Sequence, residues 1–448
     1  MRPVRMLRGI VAIATVAASL TLLAVAPASA ATPVPVPEVA TPEPSPPPVA
    51  DDPKDPVRAA EYWLDGARIR EAWHTTRGKG STIAIIDTGI GRPPGTFDGA
   101  VTDGTDVSGS GTPDGRTPLG TKDKNHGTWV ASLAGARGTK EGTGMIGVAP
   151  EAKLLSISIG FEAAAVVPFT EQIAKAMRWA VDHGADVINL SLTTNTLDWD
   201  ESWDDAFLYA FKHDVVVVVA AGNRGSGTSI VGAPATIPGV LTVGGVDQHG
   251  NASVEASTQG ITIGISAPSE GLEGVSADGT VVTWDGTSGA APIVAGVAAL
   301  VRSAHPDLDA ANVINRIIKT AIPVPGVKKV PDPLYGYGLL DAQAAVSASV
   351  PKVSANPMGD LEEWIRLYRR AKSDPAPEPT VTPIAVPPLP AADAPTKPGS
   401  PLLPSAESLR YGTLPLLALT VPGILVGLGV TAAARRIRSA RDRRAPSP

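Results

Sequence analysis

Four short, almost wholly apolar runs restrict what this chain can become: Ser81–Ile86, Lys153–Ile159, Asp186–Leu192 and Val215–Ala221. Each has the length of a strand and is apolar on alternate and intervening positions alike. Such a strand must be covered on both faces, which suits the interior of a parallel sheet. Between the runs lie segments of helical period, Thr170–His183 and Glu201–His213. Weaker strand signals follow at Leu241–Val246 and Ile261–Ser266, with a polar, β-favouring run from Val281 to Trp284. The segment from His126 to Gly135, the Ala-rich stretch from Ser288, Leu308–Ala321 and a short segment from Leu339 read as further helices. Strands alternating with helices predict an α/β fold, a doubly wound, mainly parallel sheet with helices on both faces. Arg58–Thr76 carries a short helical pattern. Residues 91–124, rich in Gly, Asp, Pro and Ser, read as one long loop, and the carboxylates of Asp103, Asp106, Asp114 and Asp123 as ordinary loop polarity.

The two ends differ from this body. Residues 1–30 have the form of a secretory leader: Arg2, Arg5 and Arg8, an apolar run from Ile10 to Val25, then Ala28-Ser29-Ala30. Residues 31–54 are a Pro-rich arm with no apolar set able to build a core. Residues 55–350 hold the strand–helix alternation. Residues 351–413 are a Pro/Ala-rich stalk interrupted by Leu361–Tyr368, in which Leu361, Trp364, Ile365 and Tyr368 share one helical face expected to pack back on the body. Residues 414–434 are apolar and long enough to cross a bilayer. Residues 435–448 form a basic tail, so the positive-inside rule puts the tail in the cytoplasm and the body outside, a single-pass cell-membrane protein.

Setting aside the three arginines of the leader and the six of the tail leaves 29 basic against 43 acidic residues, about −14 in place of −6 for the whole chain. Nucleic acid is not a partner for such a surface. With no cysteine in 448 residues, an exported body must hold together through its core, without disulfides.

Asp87 ends the first apolar strand, where open α/β sheets present groups to ligands. His126 begins a helix. Ser288 stands at the start of the Ala-rich helix, where backbone N–H groups and the positive dipole end favour a developing anion. Pro292 falls within its first turns. A serine hydroxyl needs a base to take its proton, and the imidazole needs a carboxylate to set its tautomer. Asn223, after the fourth strand, offers an amide donor for an oxyanion. His74, His183, His213, His249 and His305 have no such companions and read as structural. No metal-ligand spacing occurs, and no metal or cofactor is expected.

The order Asp87-Thr88-Gly89, His126-Gly127-Thr128-Trp129-Val130-Ala131, Ala220-Ala221-Gly222-Asn223 and Gly286-Thr287-Ser288-Gly289-Ala290-Ala291-Pro292 resembles the subtilisin-like serine proteases. The resemblance implies an Asp87–His126–Ser288 triad, with Asn223 and the Ser288 N–H as oxyanion hole. It also implies a substrate-binding cleft at Ser191, Leu192, Thr193 and Gly222. Two positions depart from the pattern: Thr193 stands where glycine is usual, beside the first specificity pocket, and Gly289 where bacterial secreted members commonly have methionine. The leader, arm, apolar span and short basic tail look most like the mycosins, membrane-anchored subtilases associated with type VII secretion, although those often carry disulfides. That resemblance implies limited processing of exported proteins, with protein or peptide substrates and type VII secretion components as partners. The arm is too short for the folded inhibitory propeptide of typical subtilisins. General degradation at the cell surface, or a structural place in a secretion complex, are the rival expectations.

Overall fold

The computed structural model describes residues 54–120, 123–139, 141–161, 164–369 and 409–442. The leader, the arm to residue 53, the stalk from 370 to 408 and the last six residues of the tail lie outside them. Seven strands form one parallel sheet in the order β2-β3-β1-β4-β5-β6-β7. They are β1 (Thr82–Asp87), β2 (Val101–Asp106), β3 (Lys153–Ser158), β4 (Val187–Leu190), β5 (Val216–Ala220), β6 (Leu241–Val246) and β7 (Ile263–Pro268). Alternate residues serve two separate cores. Ile83 and Ile85 of β1 and Val216 and Val218 of β5 face one; Ala84, Ile86, Val217 and Val219 face the other. This is why the strand runs are apolar without alternation.

The first core holds α4 (His126–Gly135), α7 (Thr287–Ala304), α8 (Ala310–Lys319) and α9 (Ala342–Ser347), together with three short helices at the start of the body. Those three are α1 (Pro56–Ala60), α2 (Tyr62–Gly66) and α3 (Ile69–Ala72), so the expected helical pattern of 58–76 is broken twice. Arg68 at one break adopts φ 54°, a left-handed conformation that no helix continues through. The second core is covered by α5 (Phe169–Asp182) and α6 (Ser202–Lys212). Helix α7 is deeply enclosed: its residues from Gly289 to Arg302 are all buried, and Ala and Gly let it lie close to the sheet.

Two features differ from the sequence reading. The 91–124 loop contains β2, a half-exposed edge strand of polar residues (VTDGTD) that pairs with β3. Its apolar content is too low to mark it, and only the waiting edge of β3 makes it a strand. The run Val281–Trp284 is indeed a strand, β9, but it pairs antiparallel with an unforeseen β8 (Leu272–Val275), outside the main sheet. The carboxylates of Asp106 and Asp114 are occupied by donors of their own region: Ser108, Ser158 and two glycine N–H groups at Asp106, and Arg92, Thr112 and Arg116 at Asp114.

Helix α10 (Leu361–Tyr368) packs against α6. Leu361 is buried in the second core, Trp364 lies 4.4 Å from Trp199 between ring centroids, and Arg369 pairs with Glu201 and Asp204. Described by itself, the C-terminal helix Leu414–Asp442 is long and apolar enough to cross a membrane, with Pro422 inside it. The docking of α10 generates a contrast. Leu361→Ala should cost about 2–4 kcal/mol through cavity formation. Leu367→Ala, at a position 47% exposed, should change stability by less than about 0.5 kcal/mol. Urea midpoints of the two variants check this.

Candidate active site

Parallel strands present their carboxyl ends at one rim, and the chain reverses its direction of travel across the sheet at β1. The crevice at such a reversal is where open α/β sheets bind ligands. Asp87 is the last residue of β1, Ser191 follows β4, and Asn223 lies three residues beyond β5. Helices α4 and α7 begin at the same rim and bring His126 and Ser288.

Asp87 is 2% exposed, and its Oδ1 accepts the N–H of Thr88 at 2.7 Å. His126 Nδ1 lies 2.8 Å from Oδ1 and 3.0 Å from Oδ2 of Asp87. Nδ1 therefore carries the proton and donates it to the carboxylate, leaving Nε2 as the basic nitrogen. Thr88 fixes the junction: its hydroxyl donates to the Lys124 carbonyl and accepts the N–H of Gly127. Gly127 cannot be larger, because an added Cβ would sit 2.7 Å from the Gly89 carbonyl oxygen. The Asp-Thr-Gly and His-Gly pairs are thus a single fitted contact between β1 and α4.

The α7 end is built as closely. Pro292 is the sixth residue of α7, deeper than the first turn where a missing N–H goes unnoticed. Its missing N–H strips the carbonyl of Ser288 of its helical donor, and the Ser191 hydroxyl supplies the replacement at 2.8 Å. In return the Ser288 hydroxyl donates to the Ser191 carbonyl at 3.2 Å. The end of β4 and the start of α7 hold each other.

Asn223 Oδ1 accepts both the backbone N–H and the hydroxyl of Thr287, at 2.8 and 2.9 Å. The same hydroxyl accepts the N–H of Gly222 at 2.9 Å. Tying down the amide oxygen commits Nδ2 to be the donor that faces outward. Thr287 was missed as an individual by sequence reasoning, although a threonine between Gly286 and the serine was its signal. Gly286 has φ 143° and lies against Asn223, where a Cβ would come within 2.8 Å of Nδ2.

Ser191, Leu192, Thr193, Gly222, Asn223 and Ser288 line one cavity of about 180 Å³, with Phe161 and Thr228 on its walls. Leu192 is 6% exposed and its side chain belongs to the second core, so mainly its backbone serves the cleft. Thr193 donates its hydroxyl to the Gly232 and Thr194 carbonyls, and its methyl faces Gly222. The other histidines sit elsewhere: His183 stacks on Trp179 at 3.8 Å, His213 lies tilted beside Tyr209 at 4.1 Å, and His305 meets the Val346 carbonyl. Among the described residues no three His, Cys, Asp or Glu side chains converge as a metal set.

The subtilase family pattern matches residues 78–338, more than half of the chain, and the chain belongs to that family. It is a subtilisin-like serine protease. Mycosin-4 of Mycobacterium tuberculosis is 32% identical over 361 residues, covering 71% of this chain and 76% of that one. Mycosin-1 of Mycolicibacterium smegmatis is 33% identical, covering 64% and 72%. Among solved structures, the MycP3 protease from the type VII (ESX-3) secretion system superposes with a TM-score of 0.55 at 32% identity, covering 64% of this chain and 88% of that one.

Burial, the largest influence on His126, opposes its charged form. The Asp87 carboxylate and its hydrogen bond, with Asp123 adding to them, outweigh burial and hold the imidazole above its ordinary 6.5. A raised folded value means that His126 stabilises the fold fully below the unfolded value and loses that contribution as pH rises through the folded one. Titration of the His126 ring by NMR should therefore give a value above 6.5, and Asp87→Asn should lower it. An unchanged titration in that variant would contradict the electrostatic account.

Proposed function

We propose that the chain is a membrane-anchored, extracytoplasmic endopeptidase that uses Asp87, His126 and Ser288 for limited processing of exported proteins linked to type VII secretion. The observation that carries the chemistry is the doubly accepting Asp87 carboxylate at His126 Nδ1, because it leaves Nε2 to act as base. Ser288 Oγ adds to the substrate carbonyl carbon as its proton passes to Nε2. The oxyanion formed is met by Asn223 Nδ2 and the Ser288 N–H at the positive end of α7. The imidazolium then gives that proton to the leaving amine, and water repeats the sequence to release the acyl group. In the resting geometry the Ser288 hydroxyl rests on the Ser191 carbonyl, and substrate entry turns it to the imidazole; such contacts commonly tighten only in the complex.

The cellular reading rests on the similarity to mycosins, the apolar C-terminal helix and the arginines that follow it. In it, residues 1–30 are a leader, 31–54 an arm, 55–350 the catalytic domain, 351–413 a stalk, 414–434 the span and 435–448 a cytoplasmic tail. No cofactor, metal or nucleic acid takes part. The substrates are proteins or peptides, and components of the secretion machinery are the partners. A purely structural place in a secretion complex is the competing reading.

Ser288→Ala should lower kcat by on the order of a million-fold, and Asn223→Ala by roughly a hundred- to a thousand-fold. A fluorophosphonate probe should label the wild-type chain and spare Ser288→Ala; labelling that persisted would reassign the nucleophile. Comparing exported proteins of a host carrying wild type or Ser288→Ala tests the processing role. A few uncleaved proteins are expected, whereas identical profiles would favour the structural reading. Thr193 narrows the pocket, so a peptide library should show a preference for small residues such as Ala before the cleaved bond. Thr193→Gly should broaden it, and a wild-type preference for Phe, Leu or Lys would refute the steric argument.

A further inference from the structure

The imidazole of His126 is held from one side by Asp87. Ser288 does not hold the other side, because its hydroxyl donates to Ser191. Two indole rings pack against the same imidazole. The Trp284 ring lies 5.6 Å from the imidazole at 73°, and Trp129 lies 6.4 Å away at 63°. The two indoles are in turn 5.8 Å apart. Trp284 ends β9, four residues before Ser288, while Trp129 is one turn along α4 from His126. Hence the strand that delivers the nucleophile also delivers a wall against the base.

The hairpin of β8 and β9 is fastened to α4 at three points. Trp129 Nε1–H donates to the Ser276 hydroxyl at 2.9 Å. The Val275 N–H donates to the Ser132 hydroxyl and the Ala277 N–H to Asn125 Oδ1, each at 3.2 Å. Gly274 admits both rings: an added Cβ there would stand 2.6 Å from Trp129 Cβ and 2.9 Å from Trp284 Nε1. Neither distance could be kept, so the rings and the strand are fitted to each other.

We propose that Trp284, backed by Trp129, is a positioning residue of the peptidase site: it packs against the His126 ring and locks that ring in register with the strand leading to Ser288. The proposal rests on the triad reading above. A ring anchored at one nitrogen can swing about its side-chain bonds, and the T-shaped packing of two large rings removes that freedom. The benefit falls on the proton-transfer step, since misplacing a reacting group by about 1 Å can cost about a hundred-fold in rate. The effect belongs in kcat more than in KM.

The test uses the full-length chain in detergent as wild type, Trp284→Ala, Trp284→Phe and Ser276→Ala. Steady-state kinetics on a peptide substrate are measured, and the low-field proton signal of His126 Nδ1–H is recorded by NMR. Trp284→Ala should lower kcat by about 10- to 100-fold with KM within about threefold, and should broaden the low-field signal. Trp284→Phe should lose no more than about threefold and keep the signal, with Ser276→Ala between them. The brace is wrong if Trp284→Ala matches wild type in both readouts, acts through KM alone, or is no worse than Trp284→Phe. Should Trp284→Ala fail to fold, Ser276→Ala decides by the same split. A wild-type chain that hydrolyses nothing would refute the peptidase reading instead, and the low-field signal would still judge the brace.

Discussion

The structure depends on a helix that water does not reach. Helix α7 is buried from Gly289 to Arg302 and lies against β1, β4, β5, β6 and β7 on one side and α4, α8 and α9 on the others. A segment with no polar face must be covered all round, and four of the covering elements, β1, β4, β5 and α4, lead into the candidate site. Burial thus does more than stabilise: it leaves α7 one position, and so gives Ser288 one position. The small residues Gly289, Ala290, Ala291 and Gly296 permit the close approach. At Gly289 a Cβ would lie 2.3 Å from Leu272, and at Gly296 2.5 Å from Val148. At Gly289 the absent side chain leaves room for the Leu272 side chain of β8.

Polar groups at the rim are organised by what the backbone leaves unsatisfied. Pro292 frees the Ser288 carbonyl and Ser191 takes it; Gly222 and Thr287 offer N–H groups, and the Thr287 hydroxyl and Asn223 Oδ1 take them. Each of these repairs fixes a side chain at the candidate site. Buried polar groups are costly when unpaired, so fully paired ones hold their geometry firmly. Asn223 and Ser288 are therefore placed by hydrogen bonds that satisfy the ends of β4, β5 and α7.

Away from the rim, the body is closed at both chain ends by small polar clamps. Glu61, buried beside Arg58 at 3.6 Å, accepts the Ile146 N–H and ties α1 and α2 to the segment after α4. Burial pushes its carboxyl up to about 8. At the other end Arg369 spans Trp199 and Trp364 while pairing with Asp204, which seals α10 against α6. With no cysteine available, such clamps and the two large cores do what disulfides do elsewhere.

The sequence by itself determined the class of fold, because strands apolar on both faces have no other stable environment than a covered parallel sheet. It also singled out Asp87, His126, Asn223 and Ser288, polar groups stranded at the ends of apolar elements, which the fold brings to one rim. What it left open depended on pairings between distant segments. Strand β2 is too polar to declare itself and exists because β3 offers an edge. One of the two helix breaks before β1 follows from a left-handed Arg68 that no local pattern announces. Thr287 becomes a support only when β5 brings Asn223 to it. Trp284, distant in the chain from His126 and Trp129, reaches them only once the β8–β9 hairpin packs on α4. Local pattern reports what a segment must bury, whereas the partner it is buried against is a property of the assembled fold.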